Sequence, residues 1–140
     1  MDIQKLINEA LKARERSYSP YSDYKVGAAL LCENGKIYKG CNIENSSYGA
    51  SNCAERTAVF KAVSEGEVNF KAIAIVGSKA DCRKDIMKDY AYPCGICRQV
   101  LSEFTDPDSF KVIVARSENE YREYLLKELL PLGFSRDNLS

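Results

Sequence analysis

The chain of 140 residues contains no histidine. A metal site here must be built from thiolates or carboxylates, since the usual imidazole ligand is missing. A histidine general base is excluded too, so proton transfer falls to a carboxylate. Excess charge of one sign is also lacking, because 20 Lys and Arg balance 20 Asp and Glu. That argues against nucleic acid as a partner, which calls for clustered cations that displace counterions. Uninterrupted apolar runs reach only a few residues, too short to span a bilayer, so no membrane role is expected. The opening stretch MDIQKLINEALKARERSYSP carries charges throughout and has no apolar core of the secretory type. Six cysteines without such a leader point to a reducing, cytoplasmic setting; three disulfides are the competing use of an even thiol count.

What is present reads as one domain, residues 1–140, with 45% hydrophobic and 29% charged residues. Ile3, Leu6, Ile7, Ala10 and Leu11 recur at helical spacing and predict an amphipathic helix over 3–16. SYSPYSDY is a turn-rich link. Strands are expected at 25–32 and 36–41 around Asn34-Gly35, a two-residue hairpin signal. The loop 42–52, rich in Asn, Ser and Gly, is long enough to suggest function. A helix over 53–64 follows, with Asn52 as its N-cap. Short buried strands are expected at 72–76 and 111–115, and a helix at 94–104 behind Pro93. Residues 121–130 fit either one helix or a strand followed by a helical turn; periodicity leaves both open.

The chemistry is concentrated in Cys53-Ala54-Glu55 and Pro93-Cys94-Gly95-Ile96-Cys97. Cys94 and Cys97 share one face of a helix start, and Cys53 opens another helix. The partial positive charge of helix N-termini lowers thiol pKa values. Three thiolates on a divalent ion leave a net charge near −1, which Arg56 is placed to offset. Glu55 can turn from the first helical turn toward a fourth, open position on the ion. A C-x-x-C alone would fit a thiol redox pair or half of a structural zinc site. The joint C-x-E and P-C-x-x-C pattern is similar to that of zinc deaminases, where the glutamate is not a ligand.

With these motifs stand SPYSDYKVGAALL (19–31), GCNIENSSYGASNCAERTAVFKAV (40–63), PCGICRQVLSEF (93–104) and ELLPLGF (128–134). Together they resemble the small, homotetrameric cytidine deaminases over nearly the whole chain. The resemblance implies an α/β fold, a three-layer α-β-α arrangement around a mixed five-stranded sheet. In it residues 121–126 form a strand hairpinned to 111–115. It implies one zinc per subunit on Cys53, Cys94 and Cys97, with Glu55 as the proton shuttle. Asn42 and Glu44 would hold the sugar hydroxyl, and the Ala54 backbone would meet the pyrimidine carbonyl. Tyr24 would line the base pocket, where the family more usually has Phe. Phe134 would stack on the base in a neighbouring subunit's site, with Tyr48 reaching across near the sugar. The implied activity is hydrolytic deamination of cytidine and 2′-deoxycytidine in pyrimidine salvage, on a small-molecule nucleoside, in a homotetramer that shares its sites.

The chain departs from this pattern in GSKADCRKDIMKDYAY (77–92), which is long, charged and carries Cys82. A fourth thiolate from Cys82 would close the metal shell and make the site structural. Cys32 and Cys41 are expected in the core. The remaining alternatives are a deaminase for blasticidin-type aminonucleosides or an RNA base, a structural zinc module, and a thiol redox protein.

Overall fold

The apolar stripe of the first helix forms as expected. Ile3–Arg14 is α1, and the Asp2 side chain accepts a hydrogen bond from the Lys5 N–H at 3.0 Å, capping its first turn. The structure is a computed structural model that describes residues 1–81 and 87–139. After α1 come β1 (Tyr24–Cys32), β2 (Ile37–Cys41), α2 (Ala54–Ser64) and β3 (Phe70–Lys79). Then follow α3 (Gly95–Glu103), β4 (Lys111–Ser117), β5 (Glu120–Leu125) and α4 (Leu126–Leu129). No helix among the described residues is long and apolar enough to cross a membrane.

The five strands lie in the order β2-β1-β3-β4-β5. Only β3 and β4 run parallel. A parallel neighbour requires a crossover, and the segment bearing α3 supplies it. Side chains alternate across the strands and sort into two cores. On one face Ala28, Leu30, Ile73, Ile75, Val112 and Val114 pack under α2 and α3 through Ala58, Val59, Ala62 and Leu101. On the other, Ala29, Ala72, Ala74, Val76, Ile113 and Ala115 pack under Leu6, Ile7, Ala10 and Leu11 of α1. This is the three-layer α/β arrangement with a mixed five-stranded sheet.

Two glycines let helices lie directly on the sheet backbone. A Cβ on Gly27 would stand 2.1 Å from the Ala10 carbonyl oxygen. One on Gly40 would stand 2.4 Å from the Ala54 carbonyl oxygen and 2.5 Å from the Ala58 nitrogen. Gly40 therefore fixes how closely the start of α2, which carries the C-x-E motif, sits on β2.

Several expectations change in detail. Asn34 does not take a left-handed conformation, so the β1–β2 turn is not the two-residue type; Gly35 alone does, at φ 90°. The Gly35 N–H donates to the Cys32 carbonyl and the Cys32 N–H to the Lys36 carbonyl, giving a wider turn. Asn52 does not cap α2: Cys53 holds that position, and the Asn52 amide donates to Thr57 Oγ1 at 3.1 Å. β3 extends well beyond 72–76, because Gly77, Ser78 and Lys79 pair with Val26, Lys25 and Tyr24. The tail resolves as strand then helical turn, since β4 offers Glu120–Leu125 an open edge. Cys32 is in the core, but Cys41 is only half-buried on the edge strand.

Candidate active site

α2 and α3 start side by side at one end of the sheet. Cys53 and Cys94 occupy their N-cap positions, and neither sulfur caps its own helix. The sulfurs face each other instead. Cys53 Sγ lies 3.7 Å from Cys94 Sγ, and Cys94 Sγ lies 3.5 Å from Cys97 Sγ. All three fall within 4.8 Å of one another. Thiolates at about 2.3 Å from a tetrahedral zinc stand roughly 3.8 Å apart, so the spacing suits that ion. Among the described residues no further His, Cys, Asp or Glu joins the cluster. Three protein donors are the complement of a catalytic zinc, which keeps one position for water or substrate. Cys82 lies outside the described residues.

The electrostatics distinguish the three sulfurs. Hydrogen bonding from Cys97 pulls the Cys53 thiol down to about 5 against the cost of burial, helped by Arg56 and Cys94. Cys97, the donor in that pair and buried as well, is pushed strongly upward. Arg56 Nη2 donates to Cys53 Sγ at 3.3 Å, and that contact holds the guanidinium charged. Among the described residues Arg56 Nε is buried without a hydrogen-bond partner, so this side chain is tied to the cluster through Nη2. A cation here would offset the excess negative charge of three thiolates around a divalent ion.

Glu55 is 4% exposed, in the first turn of α2. Burial raises its carboxyl to about 7; the Cys53 charge adds to the rise, while its own backbone N–H, Cys97 and Arg56 oppose it. A carboxyl in that range both takes and gives a proton near neutral pH. It sits beside the sulfurs in the wall of a cavity of about 580 Å³.

The same cavity gathers Tyr24, Asn42, Glu44, Tyr48, Ala54 and Arg56. Asn42 and Glu44 also shape the backbone. Asn42 Oδ1 accepts from the Val26 N–H at 2.9 Å and from the Ser17 hydroxyl, and its amide donates to the Tyr24 carbonyl at 2.8 Å. Glu44 Oε1 accepts from the N–H groups of Tyr21 and Ser22, and Oε2 from the Ser22 hydroxyl. Burial works against the Glu44 charge, but the Ser22 and Tyr21 donors outweigh it and hold the carboxyl below its ordinary value. Tyr48 stands at the rim, 78% exposed, edge-on to Tyr21. Phe134 is not among the residues lining this cavity; the residue is 59% exposed, and its carbonyl accepts from Gln99 Nε2 at 2.8 Å.

Sequence reasoning missed one wall, formed by Tyr90, Ala91 and Tyr92. Their place just before Pro93-Cys94 was the available signal. A second hollow of about 600 Å³ lies at the other end of α3, between Phe104 and Asp137, away from the sulfurs. No cluster of metal-type donors accompanies it among the described residues.

Residues 1–114 match the family model described as "Cytidine and deoxycytidylate deaminase zinc-binding region". The chain belongs to this deaminase family. It is 51% identical to a cytidine deaminase of Sporosarcina psychrophila over 140 residues, covering 100% of this chain and 96% of that one. It is 46% identical to one from Halalkalibacterium halodurans, covering 100% and 99%. Among solved structures, the cytidine deaminase of Burkholderia pseudomallei superposes with a TM-score of 0.81 at 43% identity, covering 93% of this chain and 97% of that one. Membership of the deaminase family accounts for the convergence of two helix starts on one thiolate cluster, with a zinc ion as the group those donors fit.

Proposed function

We propose that the chain hydrolyses cytidine and 2′-deoxycytidine to uridine and 2′-deoxyuridine, releasing ammonia, in pyrimidine salvage. The observation that carries this reading is the buried Glu55 carboxyl beside three clustered thiols at one wall of a nucleoside-sized cavity. Cys53, Cys94 and Cys97 would hold a zinc ion, whose Lewis acidity makes water a nucleophile near neutral pH.

Glu55 takes a proton from the attacking water and delivers it to ring nitrogen N3. Protonation there makes C4 electrophilic, and the water oxygen bonds to C4. Glu55 then moves the hydroxyl proton to the exocyclic amine. The C4–N bond breaks with its electron pair on nitrogen, so that one water is consumed and one ammonia leaves. Burial serves this cycle, because a carboxyl raised toward neutrality can act alternately as base and acid. Arg56 holds Cys53 in place and offsets negative charge.

Asn42 and Glu44 would meet the sugar hydroxyls with their remaining hydrogen-bonding capacity, and the Ala54 backbone would meet the pyrimidine carbonyl. Tyr24 would border the base. The Glu44 carboxylate would repel a phosphate, which favours free nucleosides over nucleotides. The exposed rings of Tyr48 and Phe134 suit residues lent to neighbouring subunits, as in a homotetramer with shared sites. Residues 1–140 would act as one domain. None of the five described cysteines is in a disulfide, in keeping with a reducing, cytoplasmic location.

The test is to incubate the purified protein with cytidine and follow loss of cytosine absorbance, with and without a chelator. Expected is turnover that the chelator abolishes and added zinc restores. Ammonia released from a blasticidin-type aminonucleoside but not from cytidine would replace this substrate assignment. Light scattering in solution tests the tetramer; a monomeric mass at working concentration would refute it.

A further inference from the structure

The wall preceding Cys94 belongs to no strand or helix, and side chains from outside the cavity fasten it. The Arg122 guanidinium lies 4.1 Å from the Tyr90 ring centroid. The same guanidinium donates from Nη1 to the Tyr92 hydroxyl at 3.2 Å. Tyr92 and Tyr124 share a hydroxyl–hydroxyl contact of 3.0 Å. Arg116 Nε donates to the Met87 carbonyl at 3.2 Å. Ala91 is thus gripped on both flanks. It is pressed toward β3, where a Cβ on Gly77 would come within 2.8 Å of the Ala91 methyl and 3.1 Å of both Tyr24 and Val26. Tyr90, Ala91, Tyr24 and Val26 all line the cavity, whereas Arg122 and Tyr124 do not.

We propose that Arg122 is a positioning residue for the substrate pocket. By holding Tyr90 through its π face and Tyr92 through its hydroxyl, it fixes the wall at 90–92 where it borders the cavity beside Tyr24. This rests on the deaminase reading of the site. A planar pyrimidine needs a slot of fixed width, and a wall without ladder pairing keeps its place only through such contacts. The thiols and Glu55 are held separately, at the N-caps and first turns of α2 and α3. Loosening the wall therefore weakens ground-state and transition-state binding alike, which raises KM and leaves kcat in place.

The experiment is steady-state kinetics on the zinc-loaded full chain, with zinc content and Tm measured alongside. Arg122→Ala is expected to raise KM for cytidine about tenfold, with kcat within about twofold and zinc content unchanged. Arg122→Lys is expected to recover part of the loss, because a cation remains over Tyr90. Tyr124→Phe removes only the hydroxyl link, is expected to raise KM about twofold, and stands in if Arg122→Ala does not fold. Unchanged KM in Arg122→Ala, or in Tyr124→Phe where that variant stands in, overturns the inference. So does a kcat that falls in step with zinc content, which would mean the contact serves Cys94. Zinc-loaded wild-type protein that leaves cytidine intact would sink the deaminase reading, and this inference with it.

Discussion

At the residue scale, Glu55 shows how position changes the proton affinity of an ordinary side chain. A glutamate in the first turn of a surface helix is a favourable partner of the helix dipole and stays ionised. Here the helix start is buried against the sheet, and the carboxyl is raised to about 7 mainly by that burial. Glu55→Gln keeps the shape and removes the proton traffic. It is expected to retain zinc by elemental analysis and to lose about 10²–10⁴-fold in turnover, the range for a positioned general acid–base. Cys94→Ala removes one of the three proposed zinc ligands without removing a side-chain cap, and is expected to lose both zinc and activity. Near-wild-type zinc content in that variant would exclude Cys94 from the metal site.

At the element scale, the seating of α2 on β2 governs the site. Any side chain at Gly40 meets backbone of α2, at Ala54 and Ala58, and backbone cannot turn aside as a flexible side chain can. Gly40→Ala is expected to destabilise the protein by about 1–3 kcal/mol in denaturant melts and to weaken zinc retention, because Cys53 and Glu55 shift with α2. Gly49→Ala is the control: nothing lies within 4 Å of an added Cβ there, so a change under about 0.5 kcal/mol is expected. The elements were unequally legible. α1 and the starts of α2 and α3 followed from local spacing and the cysteine motifs. β3 was read too short because Gly77 and Ser78 look like a strand end; Ser78 is buried and accepts from Arg14 Nη2 at 2.8 Å, a partner far off in sequence. The tail needed the open edge of β4 to choose its form. The wall at 90–92 was missed for the same reason, since its anchor at Arg122 is about thirty residues away and local pattern carries no trace of it.

At the scale of the whole molecule, neither core depends on the metal cluster: α1 closes one face of the sheet and α2 with α3 the other. Chelation is therefore expected to lower Tm by the linkage owed to a ligand that binds only the folded form, while far-UV circular dichroism at room temperature stays unchanged. Loss of the far-UV signal on chelation would show that the ion builds the fold. The parallel pair at the centre has one more consequence. Cys53 precedes β3 and Cys94 follows it, so the sulfurs meet only once that strand has been laid between β1 and β4. Capture of the ion by all three sulfurs is then expected to follow the laying down of the sheet. Chains refolded without zinc should reach their native outline and wake within the mixing time when the metal is added.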